Sequence, residues 1–174
     1  MSLYGDEAGD LALNNGGLLI NMGTLSAESV SNYLKAIKAY NALGLAVVFD
    51  PVGAGATHIR RESVKQLMMG GYFDLIKGNE GEIKQVYGWN AERQRGVDSG
   101  PSTLTHVEKA KLARDLARRE RMCHFPMAFL YALKCLAAGN IVLLTGAIDY
   151  LSDGSRVFAI HNGHEYLGQV TGVR

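Results

Sequence analysis

Residues 45–58, LAVVFDPVGAGATH, contain an apolar run that stops at an acidic residue and a proline. Every side chain from Leu45 to Phe49 is apolar, as in a parallel strand that helices cover on both faces. Asp50 and Pro51 then end the strand, because proline has no N–H to donate to a neighbouring strand. This stretch predicts a buried parallel strand with a carboxylate at its carboxyl end.

Strands and helices alternate on both sides of this stretch. Apolar runs predict strands, and apolar residues at three- and four-residue spacing predict helices. Further strands are expected at 18–22, 73–77 and 140–145, and helices at 26–44, 61–69, 80–87 and 105–120. Residues 148–168 alternate in polarity and carry the turn signals SDG and NGH, which predicts an antiparallel edge. The expected fold is an α/β fold with a mixed, mostly parallel sheet flanked by helices.

The composition is typical of one folded domain. At 174 residues, 47% hydrophobic and 20% charged, the chain is long enough to bury a core. Its net charge of +1 comes without a basic stripe, so nucleic acid is not an expected partner. It has no signal-peptide pattern and no apolar run near the roughly 20 residues of a membrane span, so no membrane is expected either. Only Cys123 and Cys135 occur, which favours a reducing, cytoplasmic location.

Residues 122–139, MCHFPMAFLYALKCLAAG, interrupt the alternation of strands and helices. The segment holds both cysteines and an unusual density of large apolar residues. Two interpretations stay open from the residues alone: an extra buried helix after Pro126, or sequence foreign to the domain.

The stretch DLIKGNEGEI, residues 74–83, places carboxylates directly after a predicted strand. Asn79 and Glu82 have the spacing of a capping box, which needs no ligand. Alternatively, Asp50 and Glu82 at adjacent strand ends supply the carboxylates that Mg²⁺ takes together with water and phosphate. Asp50 also suits a simple turn before proline, and Lys77 suits a strand-end lysine with its amine in water.

Other motifs indicate which kinds of active site the sequence favours and which it lacks. Gly53 and Gly55 have backbone N–H groups that can line an anion site. The sequence lacks the G-x-x-x-x-G-K-[ST] phosphate loop and the G-x-S-x-G nucleophile elbow. His161 and His164 flank an NG turn without a third ligand nearby, so they are interpreted as turn residues.

Taken in order, INMGTL, VVFDPVGAGAT, DLIKGNEGEI, GVDS, LLTGAIDYLSDG and NGHEYLGQVTG resemble hydroxyethylthiazole kinase, a thiamine-salvage enzyme of the ribokinase-like superfamily. The resemblance covers nearly the whole chain except residues 122–139. The residues of these motifs are most similar to those of the fungal branch, in which this domain usually follows a thiamine-phosphate synthase domain. It implies phosphorylation of the hydroxyl of 4-methyl-5-(2-hydroxyethyl)thiazole with ATP and Mg²⁺, by a homotrimer with active sites between subunits.

The same resemblance implies roles for individual residues. Asp50 and Glu82 match the acidic residues at the metal and phosphates. Lys77 and Thr145 match ATP-contacting positions. Met1 and Gly172 match positions that contact the thiazole. These six residues are the expected site residues.

Two departures from the family pattern lead to a further expectation. The family base and the helix N-terminus that receives the transferred phosphoryl charge follow the TG motif, beyond Arg174. Family members also begin before the equivalent of Met1. We therefore expect residues 1–174 to be a partial kinase domain that is truncated at both ends and inactive on its own, with residues 122–139 an atypical insertion such as retained intron. Two alternatives stay open: a non-catalytic subunit of a kinase assembly, and another ribokinase-like kinase such as one acting on hydroxymethylpyrimidine.

Overall fold

A computed structural model describes residues 5–89, 103–122 and 140–162. Six strands form one sheet in the order of the sequence. They are β1 (Leu18–Asn21), β2 (Val47–Asp50), β3 (Leu75–Asn79), β4 (Ile141–Thr145), β5 (Asp149–Ser152) and β6 (Val157–Ile160). Strands β1 to β4 pair parallel with one another, whereas β4 pairs antiparallel with β5 and β5 pairs antiparallel with β6. The predicted mixed, mostly parallel sheet with an antiparallel edge is confirmed.

Helices connect the strands. They are α1 (Ala8–Ala12), α2 (Ala27–Ala42), α3 (His58–Gly70), α4 (Glu80–Tyr87) and α5 (His106–Met122), and a 3-10 turn, Gly5–Glu7, precedes α1. Side chains cap several of these helices as the sequence predicted. Ser26 caps α2, and Thr105 and Glu108 exchange hydrogen bonds before α5. Within the described residues, none of the helices combines the length and the apolar character needed to cross a membrane.

Two predicted strands begin two residues later than expected. Gly44 adopts a left-handed φ of 64°, and Leu45 N donates to Tyr40 O at 3.0 Å, so Leu45 is part of the C-terminal cap that follows α2. Strand β2 therefore starts at Val47 rather than at residue 45. Strand β3 likewise starts at Leu75 rather than at residue 73. Phe73 is buried in the connection before β3, where its ring stacks on Phe49 with centroids 4.7 Å apart.

The start of the described chain differs from the sequence prediction, because the 3-10 turn and α1 were not foreseen. Both are too short to show a helical period, and their positions depend on contacts with α2. Lys35 Nζ lies 2.7 Å from Asp6 Oδ1. A Cβ on Gly5 would lie 2.7 Å from Asn32 Cα, so only glycine permits this close approach.

The register aligns the carboxyl ends of the parallel strands. Asn21 is paired with Asp50 across β1 and β2, and Asn79 is paired with Thr145 across β3 and β4. Lys77 directly follows Ile76, which is paired with Phe49 at the end of the register between β2 and β3. Polar side chains from four consecutive strands therefore meet along one edge of the sheet.

Candidate active site

Asp50 is the centre of a polar contact at this edge of the sheet. Its Oδ2 accepts a hydrogen bond from Asn21 Nδ2 at 3.0 Å. Lys77 Nζ lies 3.5 Å from the same oxygen. The Asp50 side chain is 14% exposed and that of Lys77 is 34% exposed, so the pair is shielded but open to a ligand. The structure thus brings together two of the predicted site residues, and Lys77 does not simply extend into water.

Glu82 lies in the first turn of α4 and binds two different segments. Its Oε2 accepts from Asn79 N at 2.9 Å, while Asn79 Oδ1 accepts from Glu82 N at 3.0 Å, which confirms the predicted capping box. Its Oε1 accepts from Gly53 N at 2.8 Å, in the loop after β2. Glu82 therefore caps its own helix and also holds the loop that follows Asp50.

The environment of Glu82 raises the pKa of its carboxyl group. Burial is the main cause, because a charged group loses hydration when it is enclosed by protein. The hydrogen bonds from Asn79 and Gly53 act in the opposite direction, and the nearby charge of Asp50 raises the pKa further. The positive charge of Lys77 lowers this pKa, and a bound metal ion would act in the same direction.

Gly53 differs from the sequence prediction. Its φ of 65° is left-handed, which favours glycine, but its N–H donates to the Glu82 carboxylate and is therefore not available to a bound ligand. The expected contribution of Gly53 to an anion site is therefore wrong. The reason is that Glu82 lies close enough to take this donor, which the sequence spacing alone does not show.

Glu80, the other carboxylate in residues 79–82, has a different role. Glu80 Oε1 lies 2.6 Å from Lys84 Nζ and accepts a hydrogen bond from Thr103 N at 3.1 Å. Its Oε2 lies 3.5 Å from Lys109 Nζ on α5. Glu80 therefore links α4 to α5, and Glu82 is the carboxylate of this motif whose pKa the charge of Asp50 affects.

The remaining predicted site residues are only partly described. Thr145 ends β4 directly beside Asn79 and is half-buried, at the same edge of the sheet as Asp50. Met1 and Gly172 lie outside the described residues, as do His164 and residues 123–139. Their expected roles stay predictions.

Asn21 is a residue that the sequence analysis did not select. Besides donating to Asp50, its Oδ1 accepts from Gly23 N at 2.7 Å. A signal was present in the sequence, because Asn21 is the one polar residue within the predicted strand at 18–22. Asn21 also lines a cavity of about 410 Å³ beside β1, whose wall includes Tyr33 and Tyr40 of α2.

The donor set fits Mg²⁺, which usually binds one or two carboxylates together with water and substrate phosphate. Within the described part of the chain, both side-chain contacts of Asp50 are made by Oδ2. Oδ1 is therefore left for a further ligand. Each oxygen of Glu82 keeps a second lone pair. No group of three or more His, Cys, Asp or Glu side chains forms a metal cage within residues 5–89, 103–122 and 140–162. These residues suit an ion shared with a phosphate rather than one enclosed by protein.

Comparison with known proteins shows which family the chain belongs to. Residues 1–125 and 128–173 match the model of the Hydroxyethylthiazole kinase family. The chain belongs to this family. The family resemblance seen in the sequence motifs is thereby confirmed.

Individual members of the hydroxyethylthiazole kinase family show the extent of the match. The hydroxyethylthiazole kinase of Moorella thermoacetica is 35% identical over 99% of this chain and 56% of its own length. That of Pyrococcus horikoshii is 39% identical over 89% of this chain and 50% of its own length. A solved structure of a hydroxyethylthiazole kinase protein from Pyrococcus horikoshii OT3 superposes with a TM-score of 0.74 at 33% identity, covering 99% of this chain and 55% of that one.

Two conclusions follow from the comparisons. The predicted ribokinase-like α/β fold is confirmed by the superposition on a hydroxyethylthiazole kinase structure. The chain also spans about half the length of the relatives it matches, with 56% and 50% coverage for the two named above.

Proposed function

We propose that this chain supplies the phosphate- and metal-binding side of a kinase site. The reaction is transfer of the γ-phosphoryl group of ATP to the hydroxyl of 4-methyl-5-(2-hydroxyethyl)thiazole, with Mg²⁺. The observation that carries the proposal is the convergence of Asp50, Lys77 and Glu82 at adjacent strand ends. Membership of the family and the names of the relatives support the substrate.

The chemistry assigns separate tasks to these residues. The alcohol oxygen bonds to the γ-phosphorus, the bond to the ADP oxygen breaks, and the hydroxyl proton passes to a base. Asp50 and Glu82 would hold Mg²⁺, which when bound neutralises charge on the phosphates. Lys77 and Thr145 would contact ATP. The 3.5 Å separation of Lys77 Nζ from Asp50 Oδ2 is long for an ion pair. Little interaction energy is therefore lost when the Lys77 amine turns to a phosphate oxygen.

Other parts of the proposal rest on the resemblance to the family. Met1 and Gly172 would contact the thiazole. Residues 1–174 would form part of a kinase domain that assembles as a cytoplasmic homotrimer, and residues 122–139 would be an atypical insertion. Light scattering of the purified chain tests the assembly directly, and a mass corresponding to a monomer at all concentrations would overturn it.

A binding measurement tests the site. Because the chain spans about half the length of its relatives, binding of Mn²⁺ and ATP by calorimetry is a more direct readout than turnover. Asp50→Asn and Lys77→Met are expected to weaken binding of the Mn²⁺ and ATP pair by about tenfold or more, since each removes a charged contact. Unchanged affinity in both variants would overturn the proposed site.

The chain offers a matched control pair. Asp6 and Lys35 form an exposed ion pair at 2.7 Å, remote in the sequence from the strand ends. Asp6→Asn and Lys35→Met make the same chemical changes and are expected to leave the affinity for Mn²⁺ and ATP unchanged. Competition between the thiazole alcohol and hydroxymethylpyrimidine then tests the substrate, and preference for the pyrimidine would overturn that assignment.

A further inference from the structure

Arg60, in the first turn of α3, joins the loops that follow two neighbouring strands. Its Nη1 donates to Met22 O at 2.7 Å and to Val52 O at 2.6 Å. Its Nη2 donates to Gly23 O at 2.9 Å. Met22 and Gly23 follow β1, whereas Val52 follows β2. One guanidinium group therefore fixes the separation of the two loops on either side of Asp50.

The first branch of this contact leads to Asp50. Gly23 accepts from Arg60 through its carbonyl and donates through its N–H to Asn21 Oδ1 at 2.7 Å. With Oδ1 directed at Gly23, the amide nitrogen of Asn21 faces Asp50 Oδ2, to which it donates at 3.0 Å. A Cβ on Gly23 would lie 2.9 Å from Asn21 Oδ1, so a side chain at this position would displace the Asn21 amide. The path runs from Arg60 through Gly23 and Asn21 to Asp50.

The second branch leads to Glu82. Arg60 binds the carbonyl of Val52, and Glu82 binds the N–H of Gly53 at 2.8 Å. These two groups belong to the same peptide unit. The cation thus lies at the negative end of the peptide dipole and the carboxylate at its positive end, which stabilises both charges and fixes the plane of the peptide.

We propose that Arg60 is a positioning residue for both site carboxylates. It fixes Asp50 through Gly23 and Asn21, and it fixes Glu82 through the Val52–Gly53 peptide. The inference rests on the proposed function only in treating Asp50 and Glu82 as the carboxylates of the site. Lysine cannot replace this group, because an ammonium ion lacks the planar fork that reaches three carbonyls at once.

The neighbouring residue is a matched control. Arg61 lies one position further along α3, and its Nη1 donates to Gly55 O at 3.0 Å. Arg60→Lys and Arg61→Lys therefore make the same substitution at adjacent positions, and only the first interrupts the two branches.

Hydrogen exchange of the full 174-residue chain tests the proposal. In Arg60→Lys, the Gly53 N–H and the side-chain amide of Asn21 are expected to exchange about tenfold faster, the change for a weakened charge-assisted hydrogen bond. The Ile20 N–H in β1 serves as the reference for overall stability and should keep its rate. Arg61→Lys should leave all three rates unchanged.

Two results would contradict the role of Arg60: wild-type exchange at Gly53 and Asn21, or an equal acceleration at Ile20, which indicates general destabilisation. If Arg60→Lys does not fold, the wild-type protein still decides the question. Three bonds restrict rotation of the Arg60 guanidinium, so its Nη signals should remain separate on warming when those of Arg61 have merged. Merging of both at the same temperature would overturn the proposal.

Metal binding separates this inference from the proposed function. Arg60→Lys should weaken Mn²⁺ binding by about tenfold relative to Arg61→Lys, because both carboxylates lose their alignment. A wild-type chain that takes up no Mn²⁺ would overturn the proposed function, and the exchange rates would still decide the role of Arg60.

Discussion

The Glu82 carboxylate accepts a hydrogen bond from the Gly53 N–H at 2.8 Å and thereby joins the first turn of α4 to the loop after β2. Its other oxygen accepts from Asn79 N at 2.9 Å. Glu82 is only 5% exposed, so water cannot readily replace it as the partner of either N–H. The same side chain therefore stabilises the fold and lies in the candidate site.

Removal of the Glu82 side chain should destabilise the protein. Glu82→Ala leaves the Gly53 and Asn79 N–H groups without this acceptor, and we expect the free energy of unfolding to fall by about 2 kcal/mol. Urea denaturation measures the loss. Glu62→Ala removes a more exposed glutamate of α3 that pairs with Lys65, and it should change stability by less than about 0.5 kcal/mol. Equal effects in the two variants would contradict the prediction.

The raised pKa of Glu82 has a consequence for pH dependence. Glu82 binds its proton more tightly in the folded than in the unfolded protein, whose carboxyl group has an ordinary pKa of 4.5. The contribution of Glu82 to the free energy of unfolding therefore decreases as pH rises from 4.5 through the raised value. Glu82→Gln removes this titration. The stability of the wild-type protein minus that of Glu82→Gln should fall across this window, whereas a constant difference would argue against a raised pKa.

Gly53 should resist substitution for a reason of backbone conformation. Its φ is 65°, and a Cβ there would also lie 3.4 Å from Arg60 Nη1. Gly53→Ala is expected to cost about 1 kcal/mol or more. Gly9→Ala is the control, because a Cβ on Gly9 meets no atom within 4 Å and its φ is not left-handed. Thermal unfolding of the two variants compares them, and equal midpoints would contradict the prediction.

Asn41 should be important for joining α2 to the segment before β3. Its buried side chain accepts from Tyr72 N at 2.7 Å and donates to Tyr72 O at 3.1 Å. Asn41→Ala removes both bonds and should destabilise the protein by about 2 kcal/mol. Asn14→Ala, at an exposed position after α1, should have little effect on urea denaturation. A loss below about 0.5 kcal/mol for Asn41→Ala would refute the assignment.

Asp153, in the turn between β5 and β6, should titrate at unusually low pH. Hydrogen bonds from the backbone N–H groups of Arg156 and Ser155 lower its pKa from 3.8 to about 2, with a smaller effect of the Arg156 side chain. The stability that it contributes is complete above pH 3.8 and is lost as pH falls through about 2. A titration of the side-chain carbonyl followed by NMR measures this pKa. In Arg156→Ala it should stay well below 3.8, because the backbone donors remain.

Much of the fold could be predicted from local pattern. The limits of α4, Glu80–Tyr87, agree with the prediction because both ends carry signals, a capping box at Asn79 and a left-handed Gly88. Strands β2 and β3 begin two residues later than predicted. The first apolar residues of each predicted strand belong to the preceding connection. Local apolar pattern cannot separate a strand from a buried connection.

The site was predictable only where the residues lie at strand ends. Asp50, Lys77 and Glu82 were selected because parallel strands place their carboxyl ends together. Arg60 was not selected, because its partners are backbone carbonyl groups from two distant loops. Every residue has such a carbonyl, so a sequence does not show which of them a side chain binds. The prediction for Gly53 failed for a similar reason, since the partner of its N–H is 29 residues away.

The sequential order of the six strands has a consequence for biosynthesis. Each strand pairs with the one made immediately before it, so no described strand must wait for a partner that is still to be synthesised. The sheet can therefore extend in one direction during translation, from β1 towards β6, as the chain leaves the ribosome. Each exposed edge is then covered by the next strand to emerge, which shortens the time for which it is open to pairing with another chain.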